Sequence, residues 1–288
     1  MNVKTVAVLG SGIMGRGIAH VSALGGFRVV LYDVEPKILD QALVTIRSNM
    51  QKGVDLGKLQ GQEMNKALES IRLTTRLEEA ASEAQFVIEA APEKIDLKVR
   101  IFADLDRLCS PDTVLATNTS GLSITEIAAA TNRPDRVIGM HFFNPVHLMK
   151  LVEIIRALQT SDSTYQTTEE VSRKMGKETV EVTESPGFVT SRINALIGNE
   201  AFYMLEAGVA SPRDIDKAIK LGLNHPMGPL EMADLVGLDT RLSVLTYLHE
   251  TLGEKYRPCP LMIKYVKAGR LGRKVGRGVY EYPQEKKS

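Results

Sequence analysis

Three glycines, Gly10, Gly12 and Gly15, follow directly on an apolar run at residues 6–9, and an acid, Asp33, closes the next apolar run at residues 27–32. A strand that enters Gly-x-Gly-x-x-Gly turns tightly at the first glycine. It lets a pyrophosphate approach the backbone at the second and brings the helix close to the strand at the third. The helix that opens at Ile13 and Met14 points its unbonded N–H groups, and the positive end of its dipole, at those phosphates. An acid about 20 residues further on is placed to accept hydrogen bonds from the adenosine ribose, and its charge opposes a 2′-phosphate. The expectation is a dinucleotide site for NAD built from Gly10, Gly12, Ile13, Met14, Gly15 and Asp33.

These residues need a scaffold to position them. Strand-like runs at 3–9, 28–32, 71–74, 86–90, 114–117 and 137–141 alternate with helical patterns at 14–25, 37–52, 94–108 and 123–130. Such alternation predicts an α/β, Rossmann-type, doubly wound and mostly parallel sheet with both faces covered. Phe86-Val87-Ile88 is continuously apolar, as a strand buried on both faces should be. Two more strands are expected at 151–156 and 179–183, around a helix near 168–175. Residues 51–65, rich in Gly, Gln and Lys, predict an insertion that extends the second helix into a helical hairpin. At Glu184-Ser185-Pro186-Gly187 the strands stop and helical patterns take over, at 191–207, 212–221, 230–251 and 261–268. Ser211-Pro212-Arg213-Asp214 supplies an N-cap, a proline at N1 and an acid at N3. The expected division is a dinucleotide-binding domain at 1–184 and an all-helical C-terminal domain at 185–288, with a polar tail at 284–288.

In an open parallel sheet, ligands bind beyond the carboxyl ends of the strands. The polar clusters that follow strands here are Ala91-Pro92-Glu93, Asn118-Thr119-Ser120-Gly121 and His141-Phe142-Phe143-Asn144. They are expected to converge on the nicotinamide end of the cofactor, with Glu93 and Lys98 reaching its ribose. Composition narrows the chemistry further. A formal net charge of +1 over 288 residues gives no global field for nucleic acid or an anionic membrane. Two isolated cysteines, Cys109 and Cys259, make neither a disulfide framework nor a zinc site, and no metal is expected. No leader precedes the first strand and no apolar run is long enough to span a bilayer, so a cytoplasmic location is expected.

Taken together, Gly10-Ser-Gly-Ile-Met-Gly15, Glu89-Ala-Ala-Pro-Glu93, Thr117-Asn-Thr-Ser120, His141-Phe-Phe-Asn-Pro145, Pro186-Gly-Phe188 and Gly222 through Pro226-Met-Gly-Pro-Leu-Glu231 to Gly237-Leu-Asp-Thr240 carry a resemblance. The chain resembles the 3-hydroxyacyl-CoA dehydrogenase family from residue 4 to residue 282, in particular its short single-function bacterial members, the 3-hydroxybutyryl-CoA dehydrogenases. The resemblance implies reversible oxidation of an (S)-3-hydroxyacyl-CoA, with His141 exchanging a proton at the C3 oxygen and Glu153 holding its other ring nitrogen. Physical chemistry agrees. Histidine titrates near neutrality, and an acid inside the apolar strand Leu151-Val-Glu-Ile-Ile needs a partner.

The resemblance also implies that Ser120 and Asn118 bond the reacting oxygen and the nicotinamide end, and that Ala91, Asn144 and Lys274 approach the cofactor. Asn49 and Lys52, on the basic segment 47–66, are implied to meet coenzyme A, which lies in a cleft beside the C-terminal domain. Where the family often carries an asparagine that touches the substrate carbonyl, this chain has Ser191, a shorter single donor that serves through water or is replaced by a neighbour such as Asn194. A homodimer is implied, through apolar residues such as Ile193, Leu196, Ile197, Phe202, Met204 and Leu205. Two alternatives stay open on the residues alone: a dehydrogenase of a hydroxy acid without coenzyme A, and a non-catalytic NAD-binding protein.

Overall fold

The computed structural model describes residues 2–283, so the expected tail at 284–288 lies outside the described residues. The chain divides into two units, Met1–Ser185 and Pro186–Ser288. In the first, strands β1 (Thr5–Leu9), β2 (Arg28–Tyr32), β3 (Ile71–Thr74), β4 (Phe86–Glu89), β5 (Val114–Thr117), β6 (Val137–Phe142), β7 (Leu151–Arg156) and β8 (Glu178–Thr183) make one sheet. Their spatial order is β3-β2-β1-β4-β5-β6-β7-β8. Only β6 and β7 run antiparallel, with His141 paired to Glu153 in register. The chain winds outward from β1 to β3, then restarts beside β1 at β4. That reversal leaves a crevice at the carboxyl ends of β1 and β4, where doubly wound sheets take their ligands.

Helices α1 (Ile13–Leu24), α2 (Pro36–Asp55), α3 (Gly61–Glu69), α4 (Leu77–Ser82), α5 (Ile95–Leu108), α6 (Ile124–Ala128) and α7 (Asp162–Lys174) belong to this unit. All four residues of β4 are buried, and Val6, Val8, Ile88, Ala116, Ile138 and Met140 carry the core across the sheet. Each large apolar side chain so enclosed contributes about 1.5–3 kcal/mol relative to exposure. Helix α2 continues past residue 52 and pairs with α3, so the insertion is the helical hairpin its composition predicts. Gln60 and Glu63 close a reciprocal cap at the start of α3. Helix α4 was not expected: its six residues are too few for a periodic pattern to register.

The second unit contains α8 (Thr190–Glu206), α9 (Pro212–Gly222), α10 (Pro229–Val236), α11 (Leu238–Leu252) and α12 (Pro260–Lys267), packed around Phe202, Leu230, Leu245 and Tyr256. The single helix expected at 230–251 is two. Gly237 sits at φ +103°, which no helix accommodates, and its N–H closes α10 on Ala233 O. Two buried acids pin the chain's later turns. Asp216 accepts from the N–H groups of Leu230 and Glu231 and from the Tyr280 hydroxyl, and Asp234 accepts from the N–H groups of Val279 and Tyr280. Among the described residues no helix is long and apolar enough to cross a membrane.

Candidate active site

The crevice begins where β1 stops. Gly10 turns the chain at φ +91°, and a Cβ there would stand 2.7 Å from the Ala90 carbonyl oxygen. A Cβ on Gly15 would stand 1.7 Å from the Gly10 carbonyl oxygen, so only glycine lets α1 sit this close to β1. Gly12 differs: a Cβ there would meet nothing within 4 Å. That open space, under the first N–H groups of α1, is the cradle a pyrophosphate needs. Ile13 beside it is 59% exposed, and Met14 is half-buried. These residues fit a dinucleotide.

Asp33 closes the adenosine side. Its Oδ2 accepts from the Ser11 N–H at 2.7 Å and the Ser11 hydroxyl at 2.9 Å, and its Oδ1 accepts from the Glu35 N–H at 3.2 Å. The carboxylate is thus fixed at the end of β2 while half-exposed to a ribose. A hydrogen bond to a charged group is worth about 1.5–3 kcal/mol. Asp33→Ala is therefore expected to narrow the NADH over NADPH preference in kcat/KM by about tenfold or more. An unchanged ratio would remove Asp33 from cofactor selection.

At the carboxyl ends of β4 and β5 the structure builds a polar lattice. Glu89, fully buried, accepts through Oε1 from Lys98 Nζ at 2.7 Å and the Ala91 N–H at 2.7 Å, and through Oε2 from the Thr117 hydroxyl at 2.6 Å. Lys98 is 1% exposed and has Glu93 Oε2 at 3.4 Å. Its ammonium, expected to reach a ribose, is enclosed in the protein and committed to Glu89. Glu93 in turn accepts from the Thr119 hydroxyl at 2.6 Å and the Ser120 N–H at 2.8 Å, and so sets the loop that presents the exposed Ser120. Asn118 Oδ1 accepts from the Phe142 N–H at 3.0 Å, which locks the end of β5 to β6. Glu89, Thr117 and Thr119 belong to motifs quoted from the sequence, but none was given a role there. A buried-strand glutamate with a lysine nine residues on was the available signal.

His141 lies near the end of β6, 6% exposed, with Nδ1 at 2.7 Å from Oε2 of the fully buried Glu153 across the antiparallel pair. The Phe143 ring stands 4.6 Å from the imidazole, centre to centre. With Nδ1 held by a carboxylate, the orientation of the ring is fixed.

The remaining candidates fall in separate places. Asn49, on α2, and Asn144, after β6, line one cavity of about 120 Å³ with Ile13. Lys52 is exposed on α2. Ser191 occupies the first turn of α8 in the second unit, half-buried. Lys274, implied to approach the cofactor, is held by both carboxylate oxygens of Asp239, at 2.5 and 2.6 Å. That ion pair within the second unit gives the lysine a structural partner the sequence did not reveal.

Comparison with known proteins agrees with this geometry. The family model for the 3-hydroxyacyl-CoA dehydrogenase NAD binding domain matches residues 5–185, and that for the 3-hydroxyacyl-CoA dehydrogenase C-terminal domain matches residues 187–282. The chain is 50% identical over 286 residues to a probable 3-hydroxybutyryl-CoA dehydrogenase of Bacillus subtilis, covering 99% of each chain. It is 46% identical over 278 residues to a 3-hydroxybutyryl-CoA dehydrogenase of Clostridioides difficile, covering 96% of this chain and 99% of the other. Among solved structures, an (S)-3-hydroxybutyryl-CoA dehydrogenase from Ralstonia eutropha superimposes with a TM-score of 0.95 at 45% identity, over 98% of this chain and 100% of that one. With both family models matched in order along one chain, and an NAD-binding crevice leading to a histidine–glutamate pair, the protein belongs to the 3-hydroxyacyl-CoA dehydrogenase family.

Proposed function

We propose that the protein catalyses the reversible, NAD-dependent oxidation of a short-chain (S)-3-hydroxyacyl-CoA, such as 3-hydroxybutyryl-CoA, to the 3-ketoacyl-CoA. The observation that carries the reading is the 2.7 Å contact between His141 and Glu153 at the carboxyl edge of the cofactor sheet. The names of the relatives support the substrate. Bound NAD supplies the hydride acceptor, so the C3 carbon loses a hydride as its hydroxyl loses a proton. His141 takes that proton at Nε2, and Glu153 offsets the positive charge that forms on the ring. The Ser120 hydroxyl bonds the same oxygen and holds it toward the imidazole. Ser191 through water, or Asn194 in its place, orients the thioester carbonyl, and Asn49 and Lys52 meet the coenzyme A. In the reverse direction the imidazolium returns its proton to the forming alkoxide.

The test is NADH oxidation with acetoacetyl-CoA against free acetoacetate and gulonate. Turnover with the thioester and none with the free acids is expected. Equal rates on the acids would replace the substrate class, and tight NADH binding without turnover of any acyl-CoA would favour a non-catalytic NAD-binding protein.

Two further features belong to the same reading. The protein is a homodimer: Ile193, Val209, Leu221 and Leu223 are exposed on the second unit, although Phe202 is consumed by that unit's own core. Sedimentation of a monomer at micromolar concentration would contradict the dimer. The protein works in the cytoplasm, consistent with Cys109 and Cys259 as free buried thiols, Cys109 pushed up to about 11 by burial.

A further inference from the structure

Arg16 follows the third glycine of the cofactor loop, in the first turns of α1, and is half-buried. Among the described residues its guanidinium has no hydrogen bond, ion pair or ring contact, whereas Arg72, Arg133 and Arg156 in the same unit all meet carboxylates. It lines the cavity of about 120 Å³ that also receives Asn49, Asn144 and His147, with Ile13 and Ile46 as apolar walls. No carboxylate lines this cavity.

The surrounding charge is positive as well. The His147 ring stacks on His20 at 5.3 Å with 8° between planes. Burial, Lys177 and Lys52 all hold His147 below its ordinary pKa, and burial with His147 and Lys177 lowers His20 to about 4. Lys177 is itself buried and donates to the carbonyls of Val146 and Met149, directly behind the loop. An unpaired, half-buried guanidinium beside two side-chain amides and an imidazole, with lysines behind them and no carboxylate in the lining, suits an anion. A water occupies about 30 Å³ in the liquid, so the space is large enough for a tetrahedral oxyanion group.

We propose that Arg16, with Asn49, Asn144 and His147, forms a phosphoryl-binding subsite that holds a phosphate of the coenzyme A carrier. The proposal rests on the reading of an acyl-CoA as substrate. The dinucleotide is the other source of phosphate in this unit, but its pyrophosphate has its own cradle in the backbone N–H groups over Gly12. The walls of the Arg16 cavity are α2 and the loop after β6, the former carrying Asn49 and Lys52.

The experiment compares acetoacetyl-CoA with acetoacetyl-N-acetylcysteamine, which keeps the reacting thioester and lacks every phosphate. A charge-assisted arginine–phosphate contact is strong enough that Arg16→Ala should lower kcat/KM for the CoA thioester by about tenfold or more, through KM. The truncated thioester should lose less than about twofold, NADH affinity should hold within about twofold, and Arg16→Lys should recover part of the loss. An equal loss on both thioesters, a raised NADH Kd with the CoA preference kept, or no change at all would overturn the subsite. Calorimetric titration with free coenzyme A and with pantetheine separates the subsite from the reaction. A wild-type protein that prefers coenzyme A, and an Arg16→Ala variant that does not, would uphold the subsite even if acetoacetyl-CoA were not turned over. Equal binding of the two ligands by the wild type would overturn it.

Discussion

His141→Gln is expected to lower turnover of acetoacetyl-CoA by at least about 100-fold, the usual size of general acid–base help, while NADH titration stays near the wild-type curve. Glutamine is the informative replacement. It keeps an N–H near the Glu153 carboxylate, a contact that alanine would remove. What it lacks is a group that takes and returns a proton. The residues that would grip the dinucleotide, Gly10 to Gly15 and Asp33, lie in the loop after β1, in the first turn of α1 and just past β2, away from the β6–β7 pair, which is why cofactor affinity should survive. A variant that keeps wild-type turnover would remove His141 from the proton step. A variant that loses NADH binding together with turnover would make it a structural residue.

Lys98→Met is expected to destabilise the first unit by roughly 3–5 kcal/mol, the range for removing one partner of a buried ion pair. The side chains of Lys98 and Glu89 are 1% and 0% exposed, and their 2.7 Å contact has no solvent to replace it. Methionine fills the aliphatic stem's space, so the loss comes from the charge stranded on Glu89. That assignment has its own control. Glu89→Gln removes the stranded charge while keeping an oxygen for the Ala91 N–H, so the double variant Lys98→Met with Glu89→Gln should recover much of the stability lost by the single one. Urea denaturation reads both. A single variant within about 1 kcal/mol of the wild type, or a double variant whose losses simply add, would show that the pair does not support the loop at residues 91–93.

How much of this was legible in the sequence depends on how far each residue reaches for its partner. The turn at Gly10 to Gly15 and Asp33 are local, and spacing located them; the hairpin of α2 and α3 is local too, and composition located it. The Ser211 cap of α9 is local too, and its side chain accepts from the Asp214 N–H as the pattern implied. The break at Gly237 was local but masked, because apolar residues recur at helical spacing through Leu230, Leu238 and Leu245 on both sides of it. Lys98 and Lys274 show the opposite limit. Each was read as a cation facing a ligand, and each has its carboxylate elsewhere in the fold: Glu89 at the end of a different element, and Asp239 thirty-five positions earlier. The spacing of charges along the chain does not encode which of them a sheet or a helical turn will join. Arg16 is the complement. Sequence marked it only as the residue after a glycine, and its lack of a partner is visible only once α1, α2 and the loop after β6 enclose it.

Glu153 shows why its pairing with His141, which the resemblance implies, also had a physical signal in the sequence. An acid in an otherwise apolar strand demands a partner within hydrogen-bonding reach, and an antiparallel neighbour supplies one directly across the ladder. His141 and Glu153 are twelve positions apart, but β6 and β7 bring them into register without any freedom to slip, because a one-residue shift would turn Glu153 to the other face of the sheet.

The most direct measurement is a crystal structure of the protein with NAD and acetoacetyl-CoA bound together. The account predicts His141 Nε2 within hydrogen-bonding distance, about 2.6–3.2 Å, of the C3 oxygen, with C3 facing the nicotinamide ring. A closed complex in which that oxygen is held by another group, with His141 Nε2 out of reach even through one water, would contradict it.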